Sequence, residues 1–162
     1  MSNPIDVVVL MGSESDWKVM QAAVQTLREY GVTCEARVLS AHRTPAETSE
    51  YVRQCDQAGT RVFIAAAGMA AHLAGAVAAQ TTRPVLGVPL ASSELNGLDA
   101  LLSTVQMPPG VPVGTLGIGQ AGAVNAALLA VSIIANERPE LHTKLRQARQ
   151  QRAAKILATQ LT

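Results

Sequence analysis

At 162 residues, with a net charge of +1 and a pI near 7.8, the chain fits one domain with a substantial core and offers no broad field for a polyanion. Trp17, Tyr30, Tyr51 and Phe63 are the whole aromatic complement, which excludes the stacking platform of a single-strand nucleic-acid binder. Apolar residues make up 48% and charged residues only 15%, so polar side chains are too few to cover the surface, and part of it is expected to be buried against further copies of the chain.

In chain order, residues 5–11 (IDVVVLM) are short and β-branched and predict a first strand. Residues 16–31 follow as a helix, with Trp17, Met20, Ala23, Val24, Leu27 and Tyr30 on one stripe and Gly31 as its stop. Residues 33–39 (TCEARVL) predict a second strand. Thr44, Pro45 and Glu47 then read as a capping box with Pro at the first helical position, opening a helix that ends near Gly59. A strand over 61–67, an Ala-rich helix over 70–81 and a strand over 84–89 come next. A helix around 98–105, a strand over 111–118 and a long apolar helix over 120–135 follow. Pro139 opens a last helix to about residue 158, with Leu141, Leu145, Ala148, Ile156 and Leu157 as its apolar stripe. Strands alternating with helices predict one domain over 1–162, a core over 5–135 built on a parallel sheet covered on both faces, and an added C-terminal helix. The strands read as apolar throughout, as doubly buried strands should.

Right-handed crossovers bring every strand-to-helix loop to the carboxyl edge of such a sheet, where ligands bind. Three loops there carry unusual residues. In GSESD (12–16), Gly12 allows a tight turn, and Ser13, Ser15 and Asp16 stand at a helix start. They suit N-capping, or an anion, and the Asp16 carboxylate suits sugar hydroxyls better than phosphate. In SAHRTP (40–45), the helix start explains Thr44 and Pro45 but not Ser40, His42 and Arg43. An Arg can grip a phosphate with two parallel hydrogen bonds, and a His can give or take a proton near neutral pH. In AAGMAAHLAG (66–75), Gly68 lets backbone N–H groups approach a ligand and His72 falls in the first turn of the next helix. Packing alone also accounts for His72 and the small residues.

Other features carry less. GIGQAG (117–122) has the spacing of a dinucleotide-binding loop, but it follows the last strand and lacks the acidic residue about 20 positions on; its glycines are expected to serve a turn and close helix packing. His42 and His72 without a third ligand make no recognisable metal site. Cys34 and Cys55 have no metal or redox spacing and predict reduced, buried thiols in a cytoplasmic protein. Residues 121–135 are apolar, but too short to span a membrane and interrupted by Asn125. The N-terminal apolar run is too short for a secretory signal. Lys144, Arg146, Arg149, Arg152 and Lys155 read as a solvated helix face.

Taken together, MGSESDW, SAHRTP, AAHLAG, PVLGVP, GLDALLSTVQMPPGVPVGTLGIG and NAALLA resemble, in order from about residue 5 to 135, the N5-carboxyaminoimidazole ribonucleotide mutase family of purine biosynthesis. The resemblance implies a flavodoxin-like three-layer α/β/α sandwich with a parallel five-stranded sheet, assembled as a homo-octamer. It implies a nucleotide substrate and no metal, ATP or organic cofactor. It casts His42 as general acid and base, Ser15, Ser40 and Arg43 as holders of the 5′-phosphate, and Asp16 as the partner of the ribose hydroxyls. Ser13, Ala41, Ala67 and Gly68 would border the migrating carboxylate, and His72 and Leu73 the base. Residues 106–110 (QMPPG) would reach in from a neighbouring subunit. Where the commoner family form reads GGAAHLPG, this chain has Met69 and Ala74, which bears on the local backbone shape. Arg43 and His72 place it with the mutases rather than with a sister branch that uses free CO2. Without the resemblance, a non-catalytic nucleotide-binding module and an NAD-dependent oxidoreductase using GIGQAG are the alternatives.

Overall fold

The computed structural model describes residues 5–161; the ends of the expected domain, residues 1–4 and 162, lie outside them. Five strands form one parallel sheet: β1 (Val7–Met11), β2 (Cys34–Val38), β3 (Val62–Gly68), β4 (Val85–Leu90) and β5 (Gly114–Thr115), in the order β2-β1-β3-β4-β5. This is the flavodoxin-like order, which reverses direction between β1 and β3. The helices are α1 (Trp17–Glu29), α2 (Pro45–Gln57), α3 (Leu73–Ala78), α4 (Leu98–Val105), α5 (Gly119–Ile134) and α6 (Pro139–Leu157).

Period-2 alternation divides the core between the two faces. Val7, Val9, Met11, Ile64, Val88 and their neighbours pack with Met20, Ala23 and Leu27 of α1, the Ala126–Ile134 face of α5 and the start of α6. Val8, Leu10, Phe63 and Ala65 turn the other way, onto Tyr51 and Val52 of α2 and Leu73, Ala74 and Val77 of α3. At Gly87 a Cβ would stand 2.5 Å from Thr104 Cγ2, so the missing side chain lets α4 close on the sheet. No helix of the described residues is long and apolar enough to cross a membrane. Cys34 and Cys55 are free but only half-buried, and burial raises both thiols.

Several expectations need correction. β2 is not doubly buried: it is an edge strand paired only with β1, and its residues from Glu35 to Val38 are exposed. Glu35 accepts from the Tyr51 hydroxyl at 2.9 Å and the Arg37 guanidinium lies over the Tyr51 ring, so this strand is held by polar contacts. β5 shrinks to two residues, and Pro112, which has no N–H to give a ladder, accounts for its late start. α3 starts at Leu73 rather than 70, because the backbone before it is bonded as a turn, with His72 N donating to Ala70 O and Ala71 N to Ser103 Oγ. Trp17 leaves the buried stripe of α1 and is 41% exposed, and the stripe of α6 ends early, with Ile156 and Leu157 in solvent. Thr44 does not cap α2. Its hydroxyl turns back to Ser40 instead, accepting from Ser40 N at 2.9 Å and reaching Ser40 O at 3.1 Å.

One buried carboxylate ties the amino edge together. Asp6 accepts two bonds from Arg138 at the start of α6, at 2.5 and 2.9 Å, and another from the Thr33 hydroxyl at 2.9 Å; Arg61 Nε stands 3.3 Å away. Burial pushes the Asp6 pKa up, but the bonds from Arg138 and Thr33 and the Arg138 charge outweigh it, and the net shift is downward. A depressed carboxylate contributes stability that is full above its unfolded value, about 3.9, and is lost as pH falls through the lower folded value. Asp6→Asn is therefore expected to cost about 3 kcal/mol in urea unfolding at pH 7, where it breaks a pair whose Arg side is a third exposed, and less near pH 3, below the unfolded value. An equal cost at both pH values would show that the carboxylate charge is not what holds α6.

Candidate active site

The loops that leave the carboxyl ends of β1, β2, β3 and β4 surround a cavity of about 540 Å³ at the β1/β3 reversal. Every site residue expected from the sequence lines it: Ser13, Ser15 and Asp16 after β1, Ser40, Ala41, His42 and Arg43 after β2, and Ala67, Gly68, His72 and Leu73 after β3. Four further residues, Gly12, Met69, Ala70 and Ser92, complete the wall.

The first loop holds itself in shape. Ser13 N donates to Asp16 Oδ2 at 3.0 Å, and Ser13 Oγ accepts from Ser15 N at 3.4 Å. The reciprocal cap read at Thr44 thus stands here instead, ahead of a single 3₁₀ turn over Glu14–Asp16. Burial raises the Asp16 pKa above the ordinary value, against the downward pull of the Ser13 and Gly12 N–H groups and the Arg43 charge.

The second loop is a tight ring. Thr44 N donates to Ser40 O at 2.8 Å, and Arg43 N to Ser40 Oγ at 3.3 Å. With the Thr44 hydroxyl on the same residue, the loop has little freedom. Arg43 bridges to the first loop, its Nη2 donating to Gly12 O at 2.5 Å and its Nε to Ser40 Oγ at 3.2 Å. A permanent cation therefore lies between the serine-rich turn and His42, where an anionic group on a ligand would meet it.

The third loop brings His72 to His42. Nε2 of His42 and Nδ1 of His72 share a hydrogen bond of 2.5 Å, with the rings at 69° to each other. One nitrogen carries the proton and the other accepts it, so the two tautomers are linked. His72 is the N-cap position of α3 but makes no capping bond with its side chain, leaving the ring free for His42. In the single chain His42, Arg43 and His72 are all exposed.

Gly68 is required by contact. A Cβ there would lie 1.7 Å from Ser92 Oγ, so the β3 terminus and the loop after β4 meet at the cavity floor. Ser92 was legible only through register: Gly68 pairs with Leu90, which puts residue 92 just past the sheet edge beside it.

The model of the AIR carboxylase family matches residues 6–155. The N5-carboxyaminoimidazole ribonucleotide mutase of Saccharolobus solfataricus is 50% identical over 96% of this chain and 97% of its own length. That of Haemophilus influenzae is 50% identical over 97% and 96%, and that of Escherichia coli K12 48% over 96% and 92%. Among solved structures, Treponema denticola PurE superposes with a TM-score of 0.85 at 26% identity, covering 93% of each chain.

Proposed function

This chain belongs to the AIR carboxylase family, and from that premise we propose that it interconverts N5-carboxyaminoimidazole ribonucleotide and 4-carboxy-5-aminoimidazole ribonucleotide in purine biosynthesis. The observation that carries this reading is a single cavity in which an imidazole pair, a guanidinium and a serine-rich turn converge, in a chain whose relatives bear that activity by name.

Chemistry follows from the residues. An N-carboxylate on an electron-rich aminoimidazole loses CO2 when its nitrogen is protonated, and His42 supplies that proton. The freed heterocycle is an enamine, nucleophilic at C4, and attacks the CO2 held beside it. The intermediate has an sp³ C4–H. His42, now neutral, removes that proton and aromaticity returns, so one imidazole gives and takes the same number of protons. Ser15, Ser40 and Arg43 hold the 5′-phosphate, and Asp16 the ribose hydroxyls. The small side chains Ala41 and Ala67, with Ser13 and backbone N–H groups near Gly68, leave room for the carboxylate and stabilise it. His72 and Leu73 flank the base. The route needs no metal, ATP or organic cofactor.

The same reading makes the working unit a cytoplasmic homo-oligomer, an octamer in the family form, with residues 106–110 of a neighbouring copy over the cavity mouth. Exposed Leu95, Leu98, Leu102 and Val105 support an apolar contact between copies.

The test is turnover of the N5-carboxy nucleotide by purified protein with chelator present and ATP absent, followed by formation of the C4 acid. No C4 acid under these conditions would overturn the reading. Arg43→Ala is expected to raise KM by about 10–100-fold with kcat changed far less, the loss of charge-assisted bonds to a phosphate. An unchanged KM would remove the phosphate role from Arg43.

A further inference from the structure

The turn after β3 carries strain. Met69 sits at φ 56°, in the left-handed region that a Cβ disfavours, with its side chain 60% exposed on the cavity wall. Such a conformation persists only where neighbours over-determine it, and it is found preferentially at sites where shape matters.

The neighbour here is Ser103 of α4. Its Oγ accepts from Ala71 N at 3.0 Å. The single hydroxyl proton faces Asp99 O at 2.8 Å, Ala100 O at 3.2 Å and Met69 O at 3.4 Å. Ala71 is buried and Ser103 is exposed, so without the Ser103 oxygen the Ala71 N–H would have a mobile water in place of a partner fixed to α4. One residue further on, His72 N donates to Ala70 O at 2.9 Å and closes the turn, and the His72 ring meets His42. A continuous path therefore runs from the Ser103 hydroxyl through the strained turn to the imidazole pair. The helix itself does not need this hydroxyl, since Ala is the better helix former and Ser103 is exposed on α4.

We propose that Ser103 is a positioning residue for the reaction: by holding Ala71 N–H it keeps the Met69–Ala71 turn in its strained shape and so sets His72 against His42. Ser103 does not line the cavity and acts through the turn. The inference rests on the mutase reading of this cavity.

The experiment compares kcat and KM for the N5-carboxy nucleotide in the wild type, Ser103→Ala, Ser103→Thr, Met69→Gly and the double variant Met69→Gly/Ser103→Ala, well below their melting temperatures. Ser103→Ala is expected to lower kcat by about 10–100-fold with KM within about threefold, the cost of a misplaced catalytic geometry. Ser103→Thr, which keeps a hydroxyl, should recover most of it. Glycine adopts a left-handed φ without strain, so in the Met69→Gly background the same truncation should cost about threefold or less. A wild-type kcat in Ser103→Ala with only a lower melting temperature would overturn the proposal, as would equal losses in both backgrounds. If the wild type makes no C4 acid, the mutase reading falls and takes this inference with it; wild-type turnover with an indifferent Ser103 removes the inference alone.

Discussion

His42→Asn is expected to lower turnover of the N5-carboxy nucleotide by about 10³-fold or more, at the upper end of what one general acid/base supplies, because the same ring works in both halves of the reaction. Nucleotide affinity should survive, since the phosphate and ribose contacts are assigned to Ser15, Ser40, Arg43 and Asp16. Asparagine keeps a polar group of similar reach, and the loop is fixed by Ser40 and Thr44 rather than by residue 42. Equilibrium binding of the product nucleotide, measured beside kcat, separates the two effects. Turnover near the wild-type value would take the proton transfers away from His42.

Gly122→Ala is expected to be the most damaging small substitution outside the cavity. A Cβ at 122 would lie 1.6 Å from Gly117 O and 2.6 Å from Gly117 C, both backbone atoms that cannot rotate away. The start of α5 would have to move off the segment after β5, disturbing the buried Ala123–Ala127 face. A loss of about 3 kcal/mol or more in urea unfolding follows. Gly119 has nothing within 4 Å of its added Cβ and only a left-handed φ of 73°, so Gly119→Ala should cost about 1 kcal/mol. Similar costs at the two positions would mean that close packing is not what Gly122 provides. This contrast is also why GIGQAG has the look of a dinucleotide loop: one glycine makes a turn and another admits a neighbouring backbone, which are physical demands any strand-to-helix junction can share.

The elements that read clearly in the sequence are those whose burial is one-sided or complete. Met20, Ala23, Val24 and Leu27 announce α1 by their spacing, and β1, β3 and β4 are short β-branched or apolar runs buried on both faces. The residues that misled sit where tertiary position decides. Nothing local distinguishes an edge strand from a central one, so β2 read as buried. Thr44 fits the composition of a cap, yet its hydroxyl bonds to Ser40 and makes no capping bond to α2. Trp17 is in register with the buried stripe but stands at the first position of α1, over the exposed edge beside Val38. Topology made the place of the cavity legible, since three polar or glycine-bearing loops follow strands that share one edge, while Ala41, Ala67, Leu73 and the role of each residue came from the family resemblance. Met69 was marked as standing where the family form has Gly, and its φ of 56° keeps the left-handed shape that Gly would take more easily; Ser92 and Ser103 were not legible, since their places depend on strand register and on a contact across the sequence between α4 and the turn after β3.

The most direct test of the central claim is a crystal structure of the protein with the C4-carboxy nucleotide bound. The 5′-phosphate is expected against Ser15, Ser40 and Arg43, and a ring nitrogen of His42 about 3 Å from C4 or from the exocyclic nitrogen, close enough to pass a proton. A His42 ring turned from the bound heterocycle, with another acid or base facing C4, would contradict it.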